Sequence, residues 1–211
     1  MTGEFEDYCI KHSDKELPVL QQLTRETYNN ILNPRMISGH LQGLFLKFIT
    51  SLAKPENILE IGTFTGYSAI SMAEGLLHGC TIHSIEINDE VAAFTKSFLS
   101  KNGYLDRINI HIGDACEIIQ TLDIKFDMVF IDGNKRDYVK YYNTVFDKVK
   151  KGGLIIADNV LWDGHVLDEE RCKTDAQTKG IAEFNDLIVQ DNRVEKLMLP
   201  LRDGLLLIRK L

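Results

Sequence analysis

The chain has 211 residues, of which 44% are hydrophobic and 26% charged, a composition typical of one globular domain with a sizeable core. Its net charge of −7 argues against a general nucleic-acid coat protein, although a local basic patch could still bind RNA. The polar, acidic start lacks the apolar core of a signal peptide, and no apolar run reaches the roughly 18 residues of a membrane-spanning helix, so we expect a cytoplasmic protein without membrane contact.

The first part of the chain, residues 1–54, has the spacing of amphipathic helices. Apolar residues recur at helical intervals before and after Asn33-Pro34, which interrupts the pattern. These helices expose more apolar positions than one face of a sheet needs. We therefore expect them to form a lid or the interface of a homodimer, within a single domain whose cofactor-binding core covers residues 55–211.

From Asn57 onward, strand and helix patterns alternate. The predicted strands cover residues 57–61, 81–86, 108–112, 126–131, 154–157, 194–199 and 205–209. The predicted helices between them cover residues 67–78, 89–100, 116–122, 137–149 and 176–189. This alternation predicts an α/β fold with a seven-stranded, mostly parallel sheet and helices on both faces. The closing hairpin around Arg202-Asp203-Gly204 makes one late strand antiparallel.

Oxygen-bearing side chains follow two of the predicted strands. Asp132 follows one strand, and Asp158 and Asn159 follow the next. Ligands of parallel sheets bind beyond the carboxyl ends of the strands, and three oxygen donors with room for water suit Mg²⁺, with Mn²⁺ or Ca²⁺ as alternatives, rather than zinc. Lys135 lies one turn beyond Asp132, so chemistry on an oxygen atom is favoured. Ordinary turn and helix-cap residues remain the alternative interpretation of the spacing.

A glycine-bearing turn over residues 62–66 joins the first strand to its helix. Such a turn lets a ligand approach the backbone, although packing alone also produces such turns. The dinucleotide fingerprint G-x-G-x-x-G is absent. Acidic residues occur at the ends of the first three strands, namely Glu60, Glu86 and Asp114. They repel phosphate and suit a sulfonium, an amino group and a ribose, which favours S-adenosylmethionine over NAD.

Several segments resemble one protein family. They are LEIGTFTGYSAISMAEGL, HSIEIN, GDA, FDMVFIDGNKRDYVKYY, GGLIIADNVLWDGHV and the ending RDGLLLIRK. Most of residues 57–167 are covered. These segments are similar to the class I S-adenosylmethionine-dependent O-methyltransferases, in the metal-dependent catechol and caffeoyl-CoA group. The resemblance implies their Rossmann-like fold with extra N-terminal helices. The missing dinucleotide fingerprint and Asp158-Asn159 argue against an NAD oxidoreductase. The intact set of Asp132, Lys135, Asp158 and Asn159 argues against a noncatalytic binding module.

The resemblance and the chemistry of the residues together assign roles. The predicted metal ligands are Asp132, Asp158 and Asn159. The predicted cosubstrate contacts are Ser38, Glu60, Gly62, Thr63, Phe64, Ser68, Glu86, Asp114, Ala115, Asp132 and Asn134. The predicted substrate contacts are Met36, Trp162 and Asp163. Lys135 is predicted to be the general base, with pure electrostatic steering as the alternative. Two positions depart from the family: Gly39-His40, beside Ser38, and Asn134, where aspartate is common.

A metal with few protein ligands is well completed by two substrate oxygens. We therefore expect a small aromatic acceptor with adjacent oxygens, such as a catechol or a caffeoyl group. The base 5-hydroxyuridine of tRNA, with its neighbouring carbonyl, is the alternative. Basic residues around the fourth predicted helix would either form a solvated face or contact tRNA phosphates; they are Lys135, Arg136, Lys140, Lys148, Lys150 and Lys151.

Overall fold

The computed structural model describes residues 3–211, which group into two compact units. One unit contains the chain up to Glu56 together with Thr63–Gly113, and the other contains Asn57–Gly62 together with Asp114–Leu211. The strands are β1 Asn57–Ile61, β2 Thr81–Glu86, β3 Ile108–Ile112, β4 Phe126–Ile131, β5 Val149–Asp158, β6 Val194–Leu199 and β7 Leu205–Lys210. The helices are α1 Gly3–Lys11, α2 Pro18–Asn30, α3 His40–Ala53, α4 Tyr67–Ala73, α5 Asp89–Lys101, α6 Ala115–Thr121, α7 Tyr138–Phe146, α8 Glu169–Thr174 and α9 Ala176–Gln190.

These strands form one sheet in the order β3-β2-β1-β4-β5-β7-β6. The pairs β2–β3, β1–β4 and β4–β5 are parallel, whereas β7 is antiparallel to both of its neighbours. The predicted seven-stranded, mostly parallel α/β fold is thus confirmed. None of the helices within residues 3–211 is long and apolar enough to cross a membrane.

In the first unit, α3 and α4 pack at very short range. A Cβ atom on Gly75 would lie 2.4 Å from the carbonyl oxygen of Lys47, so only glycine fits there. The backbone N–H groups of Gly75 and Leu76 bond to carbonyls three residues earlier, which tightens the chain and ends the helix. The prediction that this helix continues to residue 78 was therefore wrong, and α4 ends at Ala73.

A cross-strand contact in the same unit joins a histidine of β2 to a histidine of β3. Nδ1 of His83 lies 3.2 Å from Nε2 of His111. Burial lowers the pKa of both rings, and electrostatic interaction lowers it further, with His111 for His83 and with Lys96 for His111. Both lowered pKa values favour the neutral rings, so one ring donates its N–H to the unprotonated nitrogen of the other across β2 and β3.

In the second unit, β5 begins earlier than predicted. Val149 is buried and pairs with Phe126, so the chain enters the sheet at residue 149 rather than 154. Lys150 forms an ion pair with Asp127 at 2.8 Å across the same two strands. The preceding helix correspondingly ends at Phe146, not at residue 149. The segment after β5 also contains two elements absent from the prediction, a 3₁₀ segment over Trp162–Leu167 and helix α8.

Candidate functional site

A lysine, a carboxylate and a tyrosine meet just beyond the end of β4. The Lys135 ammonium donates to Oδ1 of Asp132 at 2.7 Å and to the Tyr138 oxygen at 2.9 Å. The Tyr138 hydroxyl in turn donates to the carbonyl oxygen of Asp158 at 2.9 Å. Lys135 is only 8% exposed. The predicted residues at the ends of β4 and β5 are thus joined through one short chain of hydrogen bonds.

The charge state of Lys135 follows from these partners. Burial lowers the pKa of its ammonium, but the Asp132 carboxylate and the Tyr138 oxygen outweigh burial and raise the pKa above that of a free lysine. Burial also raises the pKa of Tyr138, whose hydroxyl stays protonated. As paired here, Lys135 is a charged donor, and it can act as a base only if its pairing with Asp132 is weakened.

The end of β5 holds the other two predicted ligands. Asp158 is 3% exposed, and its Oδ1 accepts from the backbone N–H of Asn159 at 2.7 Å. Asn159 has a left-handed backbone with φ of 56°, and its Nδ2 donates to Oδ2 of Asp203 at 3.3 Å. Because the amide nitrogen is committed to Asp203, the amide oxygen is the atom left to bind a ligand.

This donor set can be tested for its fit to a cation. No group of three or more His, Cys, Asp or Glu side chains in residues 3–211 is arranged to hold a metal ion. The set at the ends of β4 and β5 is instead two carboxylates and one amide, from Asp132, Asp158 and Asn159. Oxygen donors of this number and type suit Mg²⁺ or Mn²⁺, which keep open positions for water or substrate oxygens. The residues therefore fit a hard divalent cation and not zinc.

The loop that follows Asn159 has an unusual backbone. Trp162 and Asp163 both have positive φ, 46° and 53°, and Gly164 continues the left-handed run. Strained positions of this kind persist only where surrounding contacts impose them, and they cluster at functional sites. The Trp162 ring centroid lies 6.0 Å from the Lys135 nitrogen, whereas the Asp163 side chain is 94% exposed. Trp162 therefore borders the lysine, and Asp163 extends into solvent.

In the first unit, the glycine-bearing turn is fixed to the end of β2. The backbone N–H of Phe64 donates to Oε2 of Glu86 at 2.8 Å, and the N–H of Asn88 donates to Oε1 at 2.9 Å. The Thr63 hydroxyl bonds the Ser84 hydroxyl at 2.6 Å, and the Phe64 carbonyl accepts from Thr95. Glu86 thus holds the turn while each carboxylate oxygen keeps a second lone pair for a ligand.

The other predicted cosubstrate residues of the first unit differ in exposure. Ser38 and Ser68 are buried, at 6% and 3% exposed. Met36, which was predicted to contact the substrate, closes a 3₁₀ turn over Pro34–Met36 and is 59% exposed.

The second unit contains the remaining predicted cosubstrate residues. Glu60 is fully buried in β1. A Cβ on Gly62, whose φ is 94°, would lie 2.2 Å from the carbonyl oxygen of Asp132, so glycine is required there.

The predicted cosubstrate residues after β3 and β4 bond locally. Asp114 caps α6 by accepting from the backbone N–H of Glu117, with Ala115 buried beside it. Asn134 is exposed, and its amide donates to Asp137 at 2.6 Å.

Half of the six basic residues near α7 are bonded within the fold, and the other half are exposed. Lys148 donates to the carbonyl oxygen of Leu122, and Lys150 pairs with Asp127. Lys135 belongs to the site described above, while Arg136 and Lys140 are exposed. This distribution favours a structural and solvated role over a continuous patch for tRNA phosphates.

Two site residues were not predicted. Tyr138 follows Lys135 by three residues, a spacing at which side chains on a helix meet, so its contact could have been found. Asp203 lies 44 residues from Asn159. Its Asp-Gly pair is typical of a hairpin turn, so the sequence gives no sign of a contact with a distant loop.

The chain is similar to known methyltransferases in sequence and in fold. A probable caffeoyl-CoA O-methyltransferase of Dictyostelium discoideum is 30% identical over 97% of this chain and 91% of its own length. A catechol O-methyltransferase of Niastella koreensis is 34% identical over 76% of this chain and 73% of its own. Among solved structures, the SAH-bound methyltransferase PaMTH1 of Podospora anserina has a TM-score of 0.91 at 28% identity, covering 99% of this chain and 94% of that one.

The sequence profile of the O-methyltransferase family matches residues 10–211, almost the whole chain. Together with the seven-stranded sheet and the near-complete coverage of relatives, this match identifies the protein as a member of the O-methyltransferase family, an enzyme with the class I methyltransferase fold.

Proposed function

We propose that the protein transfers a methyl group from S-adenosylmethionine to a hydroxyl of a small aromatic acceptor with adjacent oxygens, in a reaction that depends on a divalent cation. One observation carries the proposal. At the end of β4, the buried Lys135 bonds to the Asp132 carboxylate and to Tyr138, and Tyr138 bonds to the backbone carbonyl of Asp158 at the end of β5, next to Asn159. Mg²⁺ is the cation we expect, with Mn²⁺ and Ca²⁺ as alternatives.

The chemistry of the acceptor follows from the donor set. Asp132, Asp158 and Asn159 would hold the cation. When bound, the cation would lower the pKa of an acceptor hydroxyl and fix its direction. Three protein ligands leave positions for two substrate oxygens, which favours a catechol or a caffeoyl group. The names of the relatives, one acting on catechol and one on caffeoyl-CoA, support the same class.

Two residues would position and deprotonate the acceptor. Trp162 would cover one face of the aromatic ring, since it borders Lys135 at 6.0 Å. With the charge of Asp132 committed to a cation, the Lys135 ammonium would lose the partner that raises its pKa most. Burial, which lowers the pKa, would then dominate, and the Lys135 amine would accept the proton of the acceptor hydroxyl.

A direct test compares acceptors on the purified protein. Catechols, hydroxycinnamoyl thioesters, and tRNA from cells lacking the gene would each be offered with S-adenosylmethionine, with and without EDTA. Methylation of a vicinal-oxygen aromatic that stops in EDTA and returns with Mg²⁺ supports the proposal. Methylation confined to tRNA, or to phenols with a single oxygen, would contradict it.

The methyl donor gives a separate prediction at Glu86. We expect this side chain to accept hydrogen bonds from both ribose hydroxyls, each worth about 1.5–3 kcal/mol when charge-assisted. Glu86→Ala should weaken S-adenosylmethionine at least about tenfold by calorimetry. Glu74→Ala is the matched control, because Glu74 is bonded to Tyr104 in the same unit and is not a predicted contact. Equal affinity of the Glu86 variant and the wild-type protein would place the ribose elsewhere.

We also propose that the protein is a homodimer that uses residues 1–54. Its support is an apolar face on α3, where Phe48 and Leu52 lie one turn apart and are 70% and 67% exposed. Burying such side chains gives about 1.5–3 kcal/mol each. Light scattering at micromolar concentration should give twice the chain mass of 24.0 kDa. Phe48→Asp should shift the mass to that of one chain; a wild-type mass of one chain would refute the dimer.

A further inference from the structure

The turn between β6 and β7 holds the loop that carries the predicted ligand Asn159. In this turn, Asp203 accepts from Nδ2 of Asn159 through Oδ2 and from the backbone N–H of Asp163 through Oδ1. Its carbonyl oxygen accepts from the backbone N–H of Leu161 at 2.9 Å. A single residue thus bonds to the loop at both ends and in the middle.

The approach of this turn to the loop is close. Gly204 accepts from the backbone N–H of Val160 at 3.2 Å, and its φ is 88°. A Cβ at this position would lie 2.5 Å from Cγ of Leu161 and 3.0 Å from its backbone nitrogen. Only glycine allows the contact, so the Asp-Gly pair serves the loop as well as the turn.

The chemical asymmetry of the Asp203–Asn159 contact determines how the amide is oriented. A carboxylate can only accept hydrogen bonds, whereas an amide has one accepting end and one donating end. The amide nitrogen of Asn159 must therefore be the end that faces Asp203. The reverse orientation would set two acceptor oxygens against each other.

We propose that Asp203 is a positioning residue that selects the amide oxygen of Asn159 as the atom presented to the divalent cation. The inference rests on the metal dependence proposed above and adds a residue outside the ligand set. Partners of metal ligands commonly fix ligand orientation, and changing them typically lowers metal affinity 10–100-fold. Asp203 acts here through Asn159 and not through contact with the reacting atoms.

The decisive variant is Asp203→Asn, which is nearly the same size. It keeps an oxygen that can accept from the N–H of Asp163. Its new amide nitrogen, however, can donate to the oxygen of Asn159 and so draw that oxygen away from the cation. We expect the affinity for Mn²⁺ to fall about 10–100-fold. The measurement is the signal of free Mn²⁺ in electron paramagnetic resonance, without cosubstrate or acceptor, so it does not depend on turnover.

A polarity exchange provides the complementary variant. In the double variant Asn159→Asp with Asp203→Asn, the donor and acceptor sides of the contact are swapped, and an oxygen ligand is again available. Its formal charge equals that of the wild-type site, so it should bind Mn²⁺ nearly as tightly as the wild type and more tightly than Asp203→Asn. If Asp203→Asn alone does not fold, the comparison of the double variant with the wild type decides the question. A double variant that binds Mn²⁺ about tenfold more weakly than the wild type, or worse, would overturn the inference.

Asn185→Ala controls for general loosening of the loop. Asn185, on α9, donates to the carbonyl oxygen of Val160 at 2.8 Å, so it holds the same loop without touching the Asn159 amide. We expect lower thermal stability but near wild-type Mn²⁺ affinity. An equal loss in this variant, or none in Asp203→Asn, would overturn the role of Asp203 alone. A wild-type protein that binds no Mn²⁺ would overturn the metal-dependent function as well.

Discussion

Asp158→Ala should abolish methyl transfer while leaving the fold and the affinity for S-adenosylmethionine largely intact. The carboxylate is 3% exposed at the end of β5, and its backbone carbonyl, which the substitution retains, is the part that accepts from Tyr138. Stabilisation by a bound cation is worth several kcal/mol in a transition state, and each 1.4 kcal/mol is tenfold in rate. We therefore expect turnover to fall by about 10³-fold or more.

The same loss should follow when EDTA is added to the wild-type protein. Mg²⁺ or Mn²⁺ should restore the wild type but not the variant. Asp127→Ala is the matched control, because Asp127 is a carboxylate near the opposite end of β4 that pairs with Lys150. It should reduce stability and keep the response to metal. Full activity of the wild type in chelator would eliminate the cation from the mechanism.

Much of the sheet could be predicted from local patterns, and β1 to β4 have the predicted bounds. In β4 the pattern is a mainly apolar run that is buried, as in a strand covered by helices. In β3, isoleucines alternate with polar residues, and only Ile108 is buried. The beginning of β5 could not be found this way, since Lys150-Lys151-Gly152-Gly153 is polar and flexible as a local pattern. Its strand conformation depends on the pairing of Val149 with Phe126, a contact between distant segments.

The same distinction between local and distant contacts applies to the site. Asp132 and Lys135 are three residues apart, so their contact at 2.7 Å follows from local geometry once a turn is predicted. The bond between Asn159 and Asp203 spans 44 residues and has no sequence pattern of its own. The Asp-Gly pair by itself indicates only a hairpin turn, and nothing in the local sequence indicates that Asp203 also bonds to the loop after β5. Roles held by distant contacts therefore require the fold.

The part played by Lys135 is separated from that of the cation by Lys135→Arg. Arginine keeps the positive charge and can still pair with Asp132, but it cannot accept a proton at any accessible pH. The cosubstrate and the cation should therefore still bind. If Lys135 is the base, turnover on a weakly acidic catechol should fall about 10²–10⁴-fold, the usual contribution of general base catalysis.

The acidity of the acceptor supplies the internal control for Lys135→Arg. A nitrocatechol ionises more readily than catechol and needs less help in losing its proton, so the loss in turnover should shrink as the acceptor pKa falls. Rates for a series of substituted catechols, measured in both proteins, test this dependence. A variant that kept near wild-type turnover on the least acidic catechol would show that Lys135 only steers the substrate oxygen. Lys135 would then remain a charged donor during the reaction, as its pKa, raised by Asp132, indicates.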